Sequence, residues 1–260
     1  MSYVEDLFSL KGKVAVVTGG SGVLGGAMAT ALAKGGAAVA IMYHNNRQGA
    51  AGHAERIQNE GGQAMICKAN VASKPELENA RDEILSQWGK IHVLVNSTGT
   101  NSTTPILDIK EEEWDRIMDT NLKGVYLSSQ VFGEHLIRQK EGGSIINISS
   151  ASSEIPLSKV FTYGISKSGI NNMTRFLARE WAPHNIRVNA LMPGFFPAEQ
   201  NRKILTEKRK QDIYSHTPME RYGDPEELAG ALLWLASSNA ASFVTGTIIP
   251  VDGGFTAMTI

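Results

Sequence analysis

A tyrosine and a lysine four residues apart form the strongest chemical pattern in this chain. Tyr163 and Lys167 fall at the start of a predicted helix, and this spacing places both side chains on one helix face. Ser150 ends a predicted strand shortly before them. A neighbouring ammonium group favours a phenolate and lowers a pKa that is about 10 in free tyrosine. The three residues therefore predict proton transfer to or from a substrate oxygen.

A glycine-rich turn, Thr18–Gly25, carries the second signal. It directly follows the first predicted strand, opens a helix, and contains the GxGxxG pattern as Gly20, Gly22 and Gly25. Glycines let the backbone approach a pyrophosphate, and the helix N-terminus offers it free N–H groups. The alternative is a tight turn that only packs helix against strand. Because the pattern follows the first strand of a βαβ unit, it favours a dinucleotide site.

The elements that position these residues follow from short apolar runs alternating with longer helical patterns. The runs predict buried strands at Lys13–Thr18, Ala38–Tyr43, Ala64–Ala69, His92–Asn96, Ser144–Ser149, Arg187–Met192 and Thr247–Val251. Helices are predicted near 23–34, 47–60, 75–88, 111–138, 160–182 and 225–237. Strands that are apolar on both faces and separated by helices predict a doubly wound α/β fold with a parallel sheet. Ligands bind such sheets at the carboxyl ends of the strands, so the glycine turn, Asn96–Gly99 and Ser150 should share one crevice.

The chain's organisation and composition narrow the function further. We predict a single domain across 1–260, with a polar substrate loop or lid at about 195–222. The chain has 25 Lys+Arg against 26 Asp+Glu and a net charge of −1, so it has no broad basic field for nucleic acid or an anionic membrane.

The cysteine, histidine and apolar residues bear on the cellular setting and on metal binding. The single cysteine, Cys67, excludes an internal disulfide and fits a reducing, cytoplasmic setting. The six histidines show no zinc-like pairing, so we expect no metal. The N-terminus is acidic where a signal peptide would be basic, and no apolar run approaches the roughly 18 residues of a membrane helix.

Several motifs together resemble the short-chain dehydrogenase/reductase family over essentially the whole chain. Thr18–Gly25 resembles the family's TGxxxGxG turn, and Asn96–Gly99 resembles its NNAG strand end. Pro193-Gly194 resembles its PG turn, and Val251–Gly254 its VDGG segment. This resemblance implies a single Rossmann-type domain with a seven-stranded parallel sheet, usually assembled as a homotetramer or homodimer.

The resemblance also implies residue roles. Asn121, Ser150, Tyr163 and Lys167 fall where the family keeps its catalytic residues. By this likeness Tyr163 is the acid/base in hydride transfer between a nicotinamide and a carbonyl or carbinol carbon, and Ser150 holds the substrate oxygen. Lys167 tunes Tyr163 and binds the nicotinamide ribose, and Asn121 marks a helix break and a water-linked proton relay. The implied cofactor-binding residues are Gly19, Ser21, Gly22, Val23, Leu24, Gly25, Tyr43, His44, Arg47, Asn70, Val71, Asn96, Thr98, Gly99, Tyr163, Lys167, Pro193, Gly194 and Phe196.

The end of the second strand bears on the choice of dinucleotide. An acidic residue there binds the adenosine ribose diol of NAD, but this chain has Tyr43. His44 or Arg47 could pair with a 2′-phosphate, which favours NADP(H) over NAD(H). Against this, Gly22 stands where many NADP-dependent relatives carry a basic residue.

The C-terminal half resembles the family's sugar-acid branch, which includes gluconate 5-dehydrogenases and fructuronate (mannonate) reductases. Ser152, Gln200 and Arg202 would suit a polyhydroxy acid, and Arg202 could clamp its carboxylate. A 3-ketoacyl-thioester reductase shares the catalytic motifs and is the first alternative. A non-catalytic dinucleotide-sensing protein is the second, although intact Ser150, Tyr163 and Lys167 argue against it.

Overall fold

Seven parallel strands form the sheet at the centre of the molecule. The computed structural model describes residues 2–196 and 206–258, and the sheet order within them is β3-β2-β1-β4-β5-β6-β7. All neighbouring strands run parallel, which confirms the predicted doubly wound α/β fold. The strands are β1 (Val14–Thr18), β2 (Ala38–Tyr43), β3 (Gln63–Lys68), β4 (Val93–Asn96), β5 (Gly143–Ile148), β6 (Ile186–Pro193) and β7 (Ile248–Val251).

Helices cover both faces of this sheet. Those of the described residues are α1 (Tyr3–Phe8), α2 (Val23–Lys34), α3 (Arg47–Asn59), α4 (Lys74–Trp88), α5 (Glu111–Met118), α6 (Gly124–Gln139), α7 (Phe161–Trp181), α8 (Glu207–Ser215) and α9 (Ala229–Ala236). No helix in the described ranges is long and apolar enough to cross a membrane.

Two apolar clusters, one on each face, explain why the strands show no alternating pattern. Val17 and Ile41 pack in the cluster that includes α2, α3 and α9. Val16, Leu94 and Ile145 pack in the cluster on the opposite face, with α4, α6 and α7. Both faces of a parallel sheet are buried, so successive residues of a strand are apolar alike.

The helix predicted over 111–138 is interrupted. A π-helical segment, Asp119–Lys123, separates α5 from α6. The i→i+5 pattern of a π turn accommodates one additional residue without ending the helix, so the apolar spacing alone does not reveal it.

Two further helices were not expected from the sequence. α1 begins with a capping box in which Ser2 and Glu5 bond each other's backbone N–H groups. α8 lies inside the predicted 195–222 loop, and the side chain of Thr206 accepts a hydrogen bond from the Arg209 N–H at its start. Both helices are too short to show a clear helical period, and α8 is also polar.

The strand order creates a switch point beside β1. β1 lies between β2 and β4, so the connections on its two sides leave in opposite directions. The loops after β1 and β4 therefore diverge and open a crevice at the carboxyl ends of the strands.

Candidate active site

A crevice of about 1050 Å³ lies at this switch point. It is formed by the loops that follow β1, β2, β3, β4, β5 and β6 together with the start of α7. Most of the predicted site residues line it, namely Gly19, Ser21, Gly22, Leu24, Gly25, Tyr43, His44, Asn70, Val71, Thr98, Gly99, Ser150, Ser152, Tyr163, Lys167, Pro193, Gly194 and Phe196.

Other predicted residues do not line the crevice. The Val23 side chain is exposed in the first turn of α2 and does not line the crevice. Arg47 is exposed in the first turn of α3, whereas His44 lines the crevice directly. Both side chains are exposed, so the pairing of His44 or Arg47 with a 2′-phosphate stays a prediction. Gln200 and Arg202 lie outside the described residues.

The glycine turn is held in shape by close backbone contacts. Gly19 has a φ of +64°, and a Cβ there would stand 2.8 Å from Cα of Thr98 in the loop after β4. A Cβ on Gly25 would overlap the carbonyl oxygen of Gly19. Gly22 is the N-cap of α2, so the free N–H groups of that helix face the crevice. The turn thus presents an anion-binding helix end where a dinucleotide phosphate would lie.

Lys167 is buried beside Tyr163. Its side chain is 3% exposed, and Nζ lies 5.5 Å from the centre of the Tyr163 ring. Nζ donates a hydrogen bond to the carbonyl oxygen of Ile148, at 2.6 Å. Burial lowers the pKa of Lys167 from its ordinary value of 10.5 to about 8. The ammonium group is therefore held in place at a substantial desolvation cost.

Tyr163 itself has a raised pKa. Burial disfavours the phenolate, and a hydrogen bond to the Ser150 side chain opposes this effect only in part. Ser150 Oγ also accepts hydrogen bonds from the N–H and the hydroxyl of Ser152, at 3.2 and 3.0 Å. The sequence suggested that Lys167 lowers the Tyr163 pKa; in this structure burial is the larger influence and raises it. Burial therefore favours the protonated phenol in the group of Ser150, Tyr163 and Lys167.

Asn121 lies behind this group in the π-helical segment. Its amide Nδ2 donates to the Thr100 carbonyl oxygen and to Ser166 Oγ, at 2.9 and 3.0 Å, and its Oδ1 accepts from the Thr100 N–H at 2.7 Å. Ser166 Oγ donates in turn to the carbonyl oxygen of Tyr163. Asn121 is fully buried and does not line the crevice, so its side chain ties the loop after β4 to α7.

Two residues that sequence reasoning missed support the site from behind. Ser166 lies between Tyr163 and Lys167 in the chain, and its hydroxyl links Asn121 to the first turn of α7. His53 of α3 packs against Gly26, where any Cβ would overlap its imidazole ring, and it hydrogen-bonds the Gly22 backbone. The small Gly26 in the first turns of α2 was the available signal for His53, since a larger residue would exclude the ring.

The Asn96 side chain, predicted as a cofactor contact, is engaged within the protein. Its Nδ2 donates to Asn147 Oδ1 and Ser129 Oγ, at 2.9 and 3.1 Å, and its Oδ1 accepts from Ser128 Oγ at 2.6 Å. The residue is 1% exposed and does not line the crevice. The side chain therefore fastens β4 to β5 and α6 and does not face the crevice.

We expect Asn96→Ala to destabilise the fold by about 2 to 3 kcal/mol, because it leaves buried polar partners unsatisfied. The matched variant Asn70→Ala changes a residue that lines the crevice, so its main effect should be on the KM for the dinucleotide. Urea unfolding and steady-state kinetics measure both quantities. An Asn96→Ala protein of normal stability with a weakened dinucleotide affinity would contradict this assignment.

The crevice fits a nicotinamide dinucleotide. Thr98 Oγ1 is buried at its wall and has no hydrogen-bond partner within the described ranges. The glycine turn offers backbone donors at one end, and Lys167 offers its remaining ammonium hydrogens at the other. A volume of about 1050 Å³ lies at the upper end of the range for ligand pockets, as a dinucleotide with a substrate requires.

A glycine turn at the switch point and a Ser–Tyr–Lys group in the same crevice define a nicotinamide-dependent oxidoreductase. The family model described as enoyl-(acyl carrier protein) reductase matches residues 21–256. The chain is 36% identical to the 5-keto-D-gluconate 5-reductase of Escherichia coli strain K12, over 96% of this chain and 98% of the relative. It belongs to the short-chain dehydrogenase/reductase family.

Solved structures agree with this membership. A gluconate 5-dehydrogenase from Burkholderia cenocepacia J2315, in complex with NADP and tartrate, is 33% identical, with a TM-score of 0.93 over 99% of this chain and all of that one. A provisionally assigned D-mannonate oxidoreductase from Haemophilus influenza, with bound NAD, is 32% identical, with a TM-score of 0.91 over 98% and 99% of the two chains. Relatives of this fold thus bind either dinucleotide.

Proposed function

We propose that the protein interconverts a ketone and a secondary alcohol on a sugar acid or polyol, with NADP(H) as the preferred dinucleotide. The carrying observation is that Ser150, Tyr163 and Lys167 line the same crevice as the glycine turn. The similarity to a keto-gluconate reductase and a gluconate dehydrogenase supports the substrate class.

The proposed mechanism assigns a proton to Tyr163. A bound nicotinamide supplies or accepts the hydride. During reduction, Tyr163 Oη gives its proton to the oxygen of the substrate carbonyl, and during oxidation it takes the proton back. Ser150 Oγ donates a hydrogen bond to the same oxygen and fixes its position. Lys167 stabilises the phenolate that reduction leaves behind, which is otherwise disfavoured by burial.

Asn121 positions this group in the proposal. Its bonds to Thr100 and Ser166 hold the first turn of α7 against the loop after β4. The water-linked relay suggested by the family resemblance would run from this region to Lys167. Such a relay would return a proton to Tyr163 after each reduction.

The substrate end of the crevice mixes polar and apolar groups. Ser152, Leu157 and Val160 line it, and the Ser152 hydroxyl donates to Ser150, so Ser152 acts on a substrate through Ser150. Arg202 and Gln200, in the segment between the described ranges, are the proposed partners of the substrate carboxylate and hydroxyls. An arginine and a carboxylate form charge-assisted, forked hydrogen bonds.

Steady-state kinetics on 5-keto-gluconate, fructuronate, a neutral polyol ketone and a 3-ketoacyl thioester test the substrate class. We expect the highest kcat/KM with a keto acid, and Arg202→Ala should raise the KM for keto acids more than that for the neutral ketone. Lys208→Ala, which removes an exposed charge from α8, is the control. A preference for the thioester would support the acyl-reductase alternative, and dinucleotide binding without turnover would support the sensing alternative.

The choice of NADP(H) rests on the charges around Tyr43. Tyr43 ends β2 and lines the crevice with His44, and neither is acidic. Among the described lining residues, Asp119 supplies the one carboxylate, and it pairs with Lys123 at 3.2 Å. A 2′-phosphate therefore meets no acidic group at the end of β2. His44 and Arg47, which follow Tyr43 in the chain, are the titratable partners for that phosphate in this proposal.

We expect Tyr43→Asp to lower the ratio of kcat/KM for NADPH over NADH by about tenfold to a hundredfold, through repulsion between carboxylate and phosphate. Tyr43→Asn introduces a side chain of the same size as aspartate but without its charge, and it should leave the ratio close to that of the original protein. Kinetics with both dinucleotides at fixed substrate measure the ratio. If both variants shift it equally, packing rather than charge sets the preference.

An assembly of two or four chains is also part of the proposal. Tyr126 of α6 is 48% exposed and Phe176 of α7 is 58% exposed. Tyr126 lines a shallow cavity of about 490 Å³ with Leu177 and Trp181. Contact between copies would bury this apolar surface. Sedimentation equilibrium would give the number of chains.

A further inference from the structure

A second cavity lies at the opposite end of the sheet from the crevice. It has a volume of about 570 Å³ and sits at the amino ends of β4, β5 and β6. Its charged and titratable lining residues are Lys13, His92, Glu141 and Arg187, and we call it the basal cavity. Pro193 at the crevice lies six residue steps along β6 from Arg187, a distance of about 20 Å along a strand.

Arg187 is the unusual group in the basal cavity. Its side chain is 8% exposed, and its Nη2 donates to the Ser237 carbonyl oxygen at 3.2 Å. Its Nη1 is buried and has no hydrogen-bond partner in the described part of the chain. Burial lowers the pKa of Arg187 to about 10, with no carboxylate opposing the effect. A buried guanidinium group needs an acceptor, because an unpaired buried charge is costly.

The other charges of the cavity do not satisfy Arg187. The Glu141 carboxylate pairs with Lys90 and lies 3.6 Å from His92 Nε2. It makes no ion pair with Arg187 within the described residues. Lys13 adds a second positive charge to the lining. Burial lowers the pKa of His92, and the nearby Lys13 charge lowers it further. Ser238 and Ser242 also line the cavity. The cavity can therefore offer a bound anion hydroxyl donors together with the positive charges of Lys13 and Arg187.

We propose that the basal cavity binds a small metabolite through a phosphate or carboxylate group held between Arg187 and Lys13. The forked guanidinium donors match the oxygens of either anion. The volume of about 570 Å³ is that of a pocket for a small molecule rather than for a bare ion. Since the ligand lies one sheet length from the crevice, it can bind while a dinucleotide is present.

Calorimetric titration of the full chain, saturated with NADPH to fill the glycine turn, tests this proposal. Inorganic phosphate and succinate are the two probes, with chloride at equal ionic strength as the blank. We expect one of them to bind, and the preferred probe tells a phosphorylated ligand from a carboxylated one. Arg187→Gln and Lys13→Ala should each weaken that binding by about tenfold or more, as loss of a charge-assisted hydrogen bond does.

Three comparisons keep the result interpretable. Lys34→Ala removes an exposed charge outside the cavity and should leave anion binding unchanged. Arg187→Lys keeps the charge without the fork and should bind with intermediate affinity, which covers the case of an unfolded Arg187→Gln chain. Turnover should persist in the Lys13 and Arg187 variants. Absence of binding by both probes, or equal affinity in the original protein and the Lys13 variant, would overturn the proposal.

Discussion

Tyr163→Phe is expected to lower kcat by at least about 100-fold while leaving the affinity for the dinucleotide close to normal. The substitution removes the one proton that the mechanism transfers to the substrate oxygen, and acid–base groups contribute about 100-fold or more to rate. The ring and its packing beside Lys167 remain. Stopped-flow or steady-state kinetics, together with fluorescence titration of the dinucleotide, measure the two effects separately.

Tyr126→Phe is the matched control for this variant. It also removes a phenol hydroxyl, but from an exposed tyrosine of α6 that does not line the crevice, so turnover should be unchanged. A Tyr163→Phe enzyme with near-normal turnover on its own substrate would refute the role of the phenol. Equal losses in both variants would point to a general effect of removing hydroxyl groups.

Lys167→Met is expected to abolish most activity and at the same time to stabilise the chain. At pH 7 the buried ammonium group is charged although its folded pKa is about 8, against an ordinary value of 10.5. That difference corresponds to a cost of about 3 kcal/mol, from which the lost hydrogen bond to Ile148 subtracts about 1. We therefore expect the free energy of unfolding at pH 7 to be about 1 to 3 kcal/mol higher in the variant. Its kcat should be lower by about 100-fold.

The difference in stability between the original protein and Lys167→Met should also depend on pH. The folded pKa of Lys167 lies below the unfolded one, so between pH 8 and 10.5 the unfolded chain binds more protons and stability rises with pH. Below pH 8 the full cost applies. The advantage of Lys167→Met should thus shrink from pH 7 to pH 10, whereas Lys110→Met, at an exposed position, should show no such trend. Urea unfolding at both pH values measures it, and a constant difference would contradict the burial argument.

The sheet and the crevice could be predicted from the sequence because they depend on local patterns. Apolar runs such as Ala38–Tyr43 mark strands that are buried on both faces, and the observed β2 has the same bounds. The glycine turn and the spacing of Tyr163 and Lys167 require particular residue types at fixed separations. Such requirements can be recognised in the sequence itself.

What could not be predicted depends on contacts between distant segments. The polar partners of Asn96 lie on β5 and α6, 32 to 51 residues away, so its structural role is invisible in the strand itself. The raised pKa of Tyr163 follows from burial by the assembled fold. Arg187 lies near the start of an apolar strand, and only the folded chain shows that it makes no ion pair within the described residues. The sequence shows which residue types could act, whereas their burial and their partners depend on the folded chain.

The π-helical segment Asp119–Lys123 changes the geometry of two helices at once. Each residue of an α-helix advances the direction of its side chain by about 100°, so one residue accommodated in a π turn shifts the phase of everything before it by that angle. α6 directs its buried face to β4, β5 and α4, while α5 packs against α7. The segment therefore sets α5 and α6 at different rotations about a common helical path, so that α6 packs on the sheet and α4 while α5 packs on α7.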